Sequence, residues 1–271
     1  MSPDARRSRI TIAGRRIDAV ALEGDAARAP IVMLHEGLGS IGLWRGLPAA
    51  LGEATGRRVI AFSRFGHGRS ERSPWPRDVT GFHRREALEL LPELLGTLGV
   101  TEPPLLVGHS DGASIALIYA GHHSASGLVL IAPHVFVEPQ TLAAIRQTRE
   151  NYVNGGLRER MAHHHDDVDA AFWGWCEMWL DPEFVAWNLE ADAARVKAPT
   201  LLIAGENDPY GTLEQLRRIE ARLRGPATRL VLGGGHSPHL EAPEEVVVAV
   251  TEFATGACRD WPGSAPRSGP A

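Results

Sequence analysis

Eight short apolar runs alternate with stretches of helical period, and this alternation limits the possible folds more than any other feature of the chain. Arg9 to Ala13 and Arg16 to Leu22 read as two strands around a turn at Gly14. Ile31 to Leu34, Val59 to Phe62, Leu105 to Val107, Leu128 to Ile131, Leu201 to Ala204 and Arg229 to Leu232 repeat the pattern. Between them, Leu43 to Thr55, Phe82 to Leu98, Ser110 to Ala120, Leu213 to Leu223 and Glu244 to Phe253 have helical spacing. Short buried strands alternating with helices predict βαβ units, and hence an α/β chain with a mostly parallel sheet covered on both faces. No internal repeat is visible.

The alternation breaks once. Between Pro133 and Pro199 no strand-like run occurs, and the segment holds four of the seven tryptophans, Trp173, Trp175, Trp179 and Trp187. This predicts a helical insert, 134–196, laid over a core formed by 1–133 and 197–257. The remainder, 258–271, is rich in Pro, Gly and Ser and is expected to be disordered.

Composition narrows the partners. Hydrophobic residues make up 44%, enough for a large core, and the formal net charge is −5 without a basic run. Neither nucleic acid nor an anionic membrane surface is expected as a partner. No run of about 18 apolar residues is present to span a bilayer. The opening residues lack an apolar segment of signal-peptide type, and the two cysteines, Cys176 and Cys258, suggest no disulfide framework. A cytoplasmic protein acting on a small molecule is the expectation, with its oligomeric state open.

The sharpest local feature is LLVGHSDGASIALIYAG at 105–121, where a buried strand ends in Gly108-His109-Ser110-Asp111-Gly112 and a helix-like run follows at once. Gly-x-Ser-x-Gly is weak as a pattern, but a strand before it and a helix after it are what a nucleophile elbow needs. There the serine adopts strained backbone angles, and its neighbours two residues away must be small. The helix beginning at this point aims N–H groups and its positive end at the site. A serine nucleophile needs a base, and the base an orienting acid. On an open parallel sheet both are expected past later strand ends, acid first. TLLIAGENDPYG supplies Asp208, with Glu206 as a rival; LVLGGGHSPHLE supplies His236, with His239 as a rival. The three glycines before His236 favour it as a loop-borne base. Asp208 before Pro209 also has the plain reading of an Asx turn.

These motifs, together with LHEGLGS and FSRFGHGRS upstream, resemble the α/β-hydrolase fold superfamily over roughly 9–257. The resemblance implies an eight-stranded, mostly parallel sheet, helices on both faces and a helical cap after strand six. It also implies the catalytic set Ser110, Asp208 and His236, with the N–H groups of Gly37 and Asp111 as the oxyanion hole and no cofactor or metal. The chain departs from the family pattern at Glu36, where glycine is usual, at Ser63, where aspartate is usual, and at Asp111. The Glu36 and Asp111 side chains either point away from the site or favour polar or cationic substrate groups.

The expected activity is serine-dependent hydrolysis of a small, partly apolar ester or lactone. Carbon–carbon bond hydrolysis of aromatic ring-cleavage products and a non-catalytic receptor are the alternatives. His134, Glu138, Trp175 and Trp179 are candidate pocket residues. His35 and His109 read as structural groups beneath the oxyanion loop and the elbow. The run His163-His164-His165-Asp166-Asp167 reads as a solvated helix boundary, because adjacent helical side chains diverge and do not converge on a metal.

Overall fold

The computed structural model describes residues 5–75 and 78–256. The expected disordered tail and Cys258 lie outside them. The strands are β1 (Ala5–Ile12), β2 (Arg15–Leu22), β3 (Ile31–Leu34), β4 (Val59–Phe62), β5 (Leu105–His109), β6 (Gly127–Ile131), β7 (Thr200–Gly205) and β8 (Ala227–Leu232). They form one eight-stranded sheet in the order β1-β2-β4-β3-β5-β6-β7-β8. β2 pairs antiparallel with both β1 and β4, and every other pairing is parallel. β1 starts earlier than its apolar run because backbone pairing with β2, from Ala5 opposite Leu22, needs no apolar side chains.

The central strands are buried on both faces, which explains their unbroken apolar sequences. In β3, Val32 and Leu34 join one core layer and Ile31 and Met33 the other. One layer is closed by the helices Leu47–Thr55 and Pro243–Thr255, through Leu51, Val246 and Val250. The other holds the helix Asp111–His122, buried from Asp111 through Ala120, and a long helical run over 82–97. That run widens into a π-helical turn over Glu86–Leu90. Pro92 follows and has no N–H to give the Leu88 carbonyl, which is a sufficient physical reason for the ladder to slip.

Between β6 and β7 the chain forms the helices Pro139–Asn154, Leu157–Ala162, Val168–Trp179 and Glu190–Ala193 and no strand. Its ends meet: Phe136 and Asn188 form an isolated bridge, and Leu189 N–H donates to the Val135 carbonyl at 2.7 Å. Most of its aromatics pack on one another. Tyr152 stacks on Phe172, and Trp179, Phe184 and Trp187 cluster around His83 of the core. Among the described residues no helix is long and apolar enough to cross a membrane.

Candidate active site

Ser110 caps β5 with φ 51° and ψ −117°, a conformation that L-residues rarely adopt. The flanking glycines permit it. A Cβ on Gly112 would stand 2.0 Å from the Leu34 carbonyl oxygen, and one on Gly108 would stand 2.4 Å from that of Gly112. The strand edge and the helix therefore approach to backbone contact, and only glycine fits on either side of the serine.

At the ends of β7 and β8, His236 Nδ1 lies 2.7 Å from Asp208 Oδ2. Burial opposes ionisation of Asp208, but its hydrogen bond to His236 and the attraction of that ring outweigh it; the pKa falls below the ordinary aspartate value. The ionised carboxylate can only accept, so Nδ1 carries the hydrogen and Nε2 is left for another partner. Asp208 Oδ1 accepts from Tyr210 N–H at 2.7 Å, which is the expected Asx turn serving to aim the acid as well. Of the rivals, Glu206 is exposed. His239 is buried against Trp44 and His109 and does not line the cavity that Ser110 and His236 share.

The loop after β3 is fixed from behind. The Glu36 carbonyl accepts from His35 Nδ1 at 2.7 Å, Arg64 Nη2 at 2.8 Å and Gly39 N–H at 3.0 Å. Because the peptide is trans, three donors on that carbonyl turn the Gly37 N–H the opposite way. Neither this N–H nor that of Asp111 donates to a protein acceptor among the described residues. His35 is thus the hydrogen-bonding support expected of it. His109 lies beneath the elbow, with Nε2 2.8 Å from the His236 carbonyl and Nδ1 3.3 Å from Glu36 Oε2.

The two unusual carboxylates have partners. Burial works against ionisation of Glu36, yet the His109 contact and the facing His239 ring hold its pKa down to about 2. Asp111, which is buried, accepts from Trp179 Nε1 at 3.2 Å and lies 3.3 Å from His83 Nε2. Its pKa too is held at about 2, with burial opposing and His83 and Arg64 prevailing. Asp111 is an internal anion tied to an indole and an imidazole, whereas Glu36, half-buried, pairs with an imidazole and lines the cavity shared by Ser110 and His236.

Four pocket candidates divide three to one. A cavity of about 210 Å³ is lined by Ser110, His236, His134, Trp175 and Trp179 with Leu38, Ile145 and Tyr210. Ala132, at φ 46°, turns the chain sharply after β6 to bring His134 there, and the His134 carbonyl accepts from Ser114 Oγ at 2.7 Å. Burial, then the neighbouring His236, lower the His134 pKa to about 4. Glu138 is the exception. Its oxygens accept from Thr212 N–H, Thr212 Oγ1 and Gln215 Nε2, so it braces the acid loop and lines no part of this cavity. Gln140 does similar work, donating to the Asp208 carbonyl at 2.8 Å.

His165 departs from the solvated boundary expected of its run. It is buried, its Nδ1 accepts from Gly68 N–H at 3.0 Å, and its Nε2 lies 3.0 Å from the Leu38 carbonyl. It ties the insert to two core loops. Nothing local in the histidine run distinguishes it from its exposed neighbour His163.

The sequence profile of the alpha/beta hydrolase family matches residues 31–250. The sn-1-specific diacylglycerol lipase ABHD11 of Mus musculus is 27% identical over 268 residues, spanning 86% of this chain and 83% of that protein. Among solved structures, a membrane phospholipase A described as a bacterial virulence factor superposes with a TM-score of 0.76 at 18% identity, over 93% of this chain and 86% of that one. The enol-lactonase from Burkholderia xenovorans LB400 superposes at 0.71 with 20% identity, over 92% of this chain and all of that one. At these identities the structural likeness establishes the fold.

Proposed function

This chain belongs to the alpha/beta hydrolase family, and we propose that within it the protein is a serine hydrolase cleaving a small, partly apolar carboxylic ester or lactone. The observation that carries the reading is the His236–Asp208 pair at 2.7 Å, whose imidazole shares one cavity with a serine held in strained backbone geometry. Ser110 Oγ attacks the carbonyl and His236 takes its proton. Asp208 holds the imidazole and balances its charge, and the Gly37 and Asp111 N–H groups receive the oxyanion. His236 then protonates the leaving group, and water releases the acyl group by the same steps. The cavity volume of about 210 Å³ and its walls of Trp175, Trp179, Ile145 and Leu38 favour a compact, apolar acyl or alcohol part. A lipase and a lactonase among its relatives agree with ester-bond chemistry. The segment 134–196 is the cap over this cavity, and a small-molecule substrate in a reducing cytoplasm completes the proposal.

A fluorophosphonate probe followed by peptide mapping, with turnover of 4-nitrophenyl esters and lactones, tests it. Label is expected on Ser110, and Ser110→Ala should lose roughly three or more orders of magnitude in turnover while staying folded. Near-normal turnover by that variant would remove Ser110 from the chemistry.

A further inference from the structure

A second cavity, of about 310 Å³, adjoins the first. The two share Gly37 and Trp175, and each takes one of the neighbours Ser110 and Asp111. Phe65, Trp75, Val79, Phe82 and Met178 give it apolar walls, and Arg64, Glu86 and Asp111 also line it.

Its charged groups differ in how they are satisfied. Arg72 Nε donates to Asp167 at 2.6 Å, outside the lining. Arg85 pairs with Asp78 at 3.1 Å, and Asp111 is held by Trp179 and His83. Arg64 and Glu86 stand apart. Arg64 is 1% exposed, uses Nη2 on the Glu36 carbonyl, and has no hydrogen-bond acceptor for Nε or Nη1. Glu86 is 4% exposed, and its Oε2 has no partner. Orphaned polar atoms on a buried guanidinium are costly, and native proteins retain them where something else fills them. The carboxyl sits on the π-helical turn, an irregularity common at functional sites.

We propose that this cavity is a substrate subsite for a carboxylate, which accepts hydrogen bonds from Arg64 and Glu86 while the scissile carbonyl lies at Ser110. The inference rests on the hydrolase reading and adds its substrate class: a carboxylic ester or lactone bearing a second, ionised carboxyl group, joined by a short apolar stem. Arg64 supplies the charge-assisted donors. Burial, only partly offset by Arg64 and Arg85, raises the Glu86 pKa to about 7, so near neutrality much of it carries a proton to donate. Asp78 and Asp111 are the like charges in the lining; Asp78 pairs with Arg85, and Asp111 Oδ1 is engaged by Trp179 Nε1 and His83 Nε2. The phenylalanine, valine and methionine side chains accommodate the stem.

The test compares 4-nitrophenyl hemiesters of four- to eight-carbon dicarboxylic acids, and acetyl esters of ω-hydroxy acids, with neutral isosteres ending in a methyl ketone. The two series place the carboxylate on the acyl or the alcohol side. In one of them the wild-type protein should prefer the carboxylate by at least tenfold in kcat/KM at pH 7, mostly through KM. Arg64→Met should erase that ratio and Arg64→Lys should restore part of it. Equal kcat/KM for carboxylate and neutral substrates in both series with the wild-type protein overturns the proposal, as does a preference that survives Arg64→Met. A purely structural role for Arg64 would lower both substrates in parallel and keep the ratio. Binding of glutarate to Ser110→Ala, read by tryptophan fluorescence, assesses the subsite separately from the chemistry. Saturable quenching lost when Arg64→Met is added supports it, and no quenching with glutarate, adipate or suberate counts against it. If no ester is turned over but these diacids bind, the hydrolase reading fails and the subsite stands.

Discussion

Ser110 has two unlike flanks. On the side of β6 to β8 the groups that hold Asp208 and His236 are engaged, although His134 Nδ1 and His239 Nδ1 are buried without a partner: Asp208 is gripped by His236 and the Tyr210 N–H, Glu138 by Thr212 and Gln215, and the His236 carbonyl by His109. On the side of β4 and the 82–97 helical run, Arg64 and Glu86 keep buried atoms without partners beside the larger cavity. The first flank is over-determined, as groups that must meet a reacting centre within a few tenths of an ångström need to be. The second leaves its hydrogen-bonding capacity open, as recognition of a ligand requires. In the proposed reading, chemistry and selectivity draw on different walls of one site.

The largest break in this contrast should come from the engaged flank. His236→Gln is expected to cut turnover by roughly three orders of magnitude or more with little change in Tm, since the glutamine cannot relay a proton. His239→Gln should leave more than a tenth of the activity. The opposite pattern would move the base to position 239.

The next comparison concerns stability and has opposite signs on the two flanks. Glu86 ionises at about 7 in the folded chain against an ordinary 4.5. As pH rises from 4.5 to 7 the unfolded chain gains from ionisation first, so the folded state loses stability over that window, by up to about 3 kcal/mol. Glu86→Gln should therefore stabilise the ligand-free protein progressively more from pH 5 to pH 8. Gln215→Ala, which strands the Val135 N–H and Glu138, should destabilise it by about 2 kcal/mol at either pH. Urea denaturation at the two pH values measures both; a flat pH response for the Glu86→Gln difference would refute the assignment of a partnerless acid.

The smallest effect should sharpen the boundary between the flanks. Trp175→Ala is expected to join the two cavities and shift the ratio of kcat/KM for bulky over short esters by about tenfold. The relative labelling rate with a small phosphonate should change less. A chain-length profile of unchanged shape would show that the indole only holds the insert together.

The positions of Ser110, Asp208 and His236 at strand ends were legible because each follows an apolar strand and carries its own local mark: paired glycines, an Asx-Pro turn, a glycine run. The mostly parallel sheet was legible for the same reason, as alternation is a local pattern. Glu138 and His165 were not. Whether a carboxylate faces a cavity or Thr212, or which of three adjacent histidines enters the core, depends on packing between segments about 70 to 130 residues apart. Arg64 and Glu86 were hidden more deeply, because a missing partner becomes visible only when all neighbours are in place.

The glycine at position 37 has a consequence beyond its N–H. A Cβ there would stand 2.1 Å from Trp175 Cδ1 and 2.8 Å from Asp111 Oδ2. The indole occupies the space that any other amino acid would claim for itself. Trp175 comes from the insert, but where it can rest is decided by a single hydrogen atom on the core loop. One methyl group added at position 37 would evict the partition and merge two chambers into one. The division of the interior is therefore adjustable from the sheet without altering a residue of the insert.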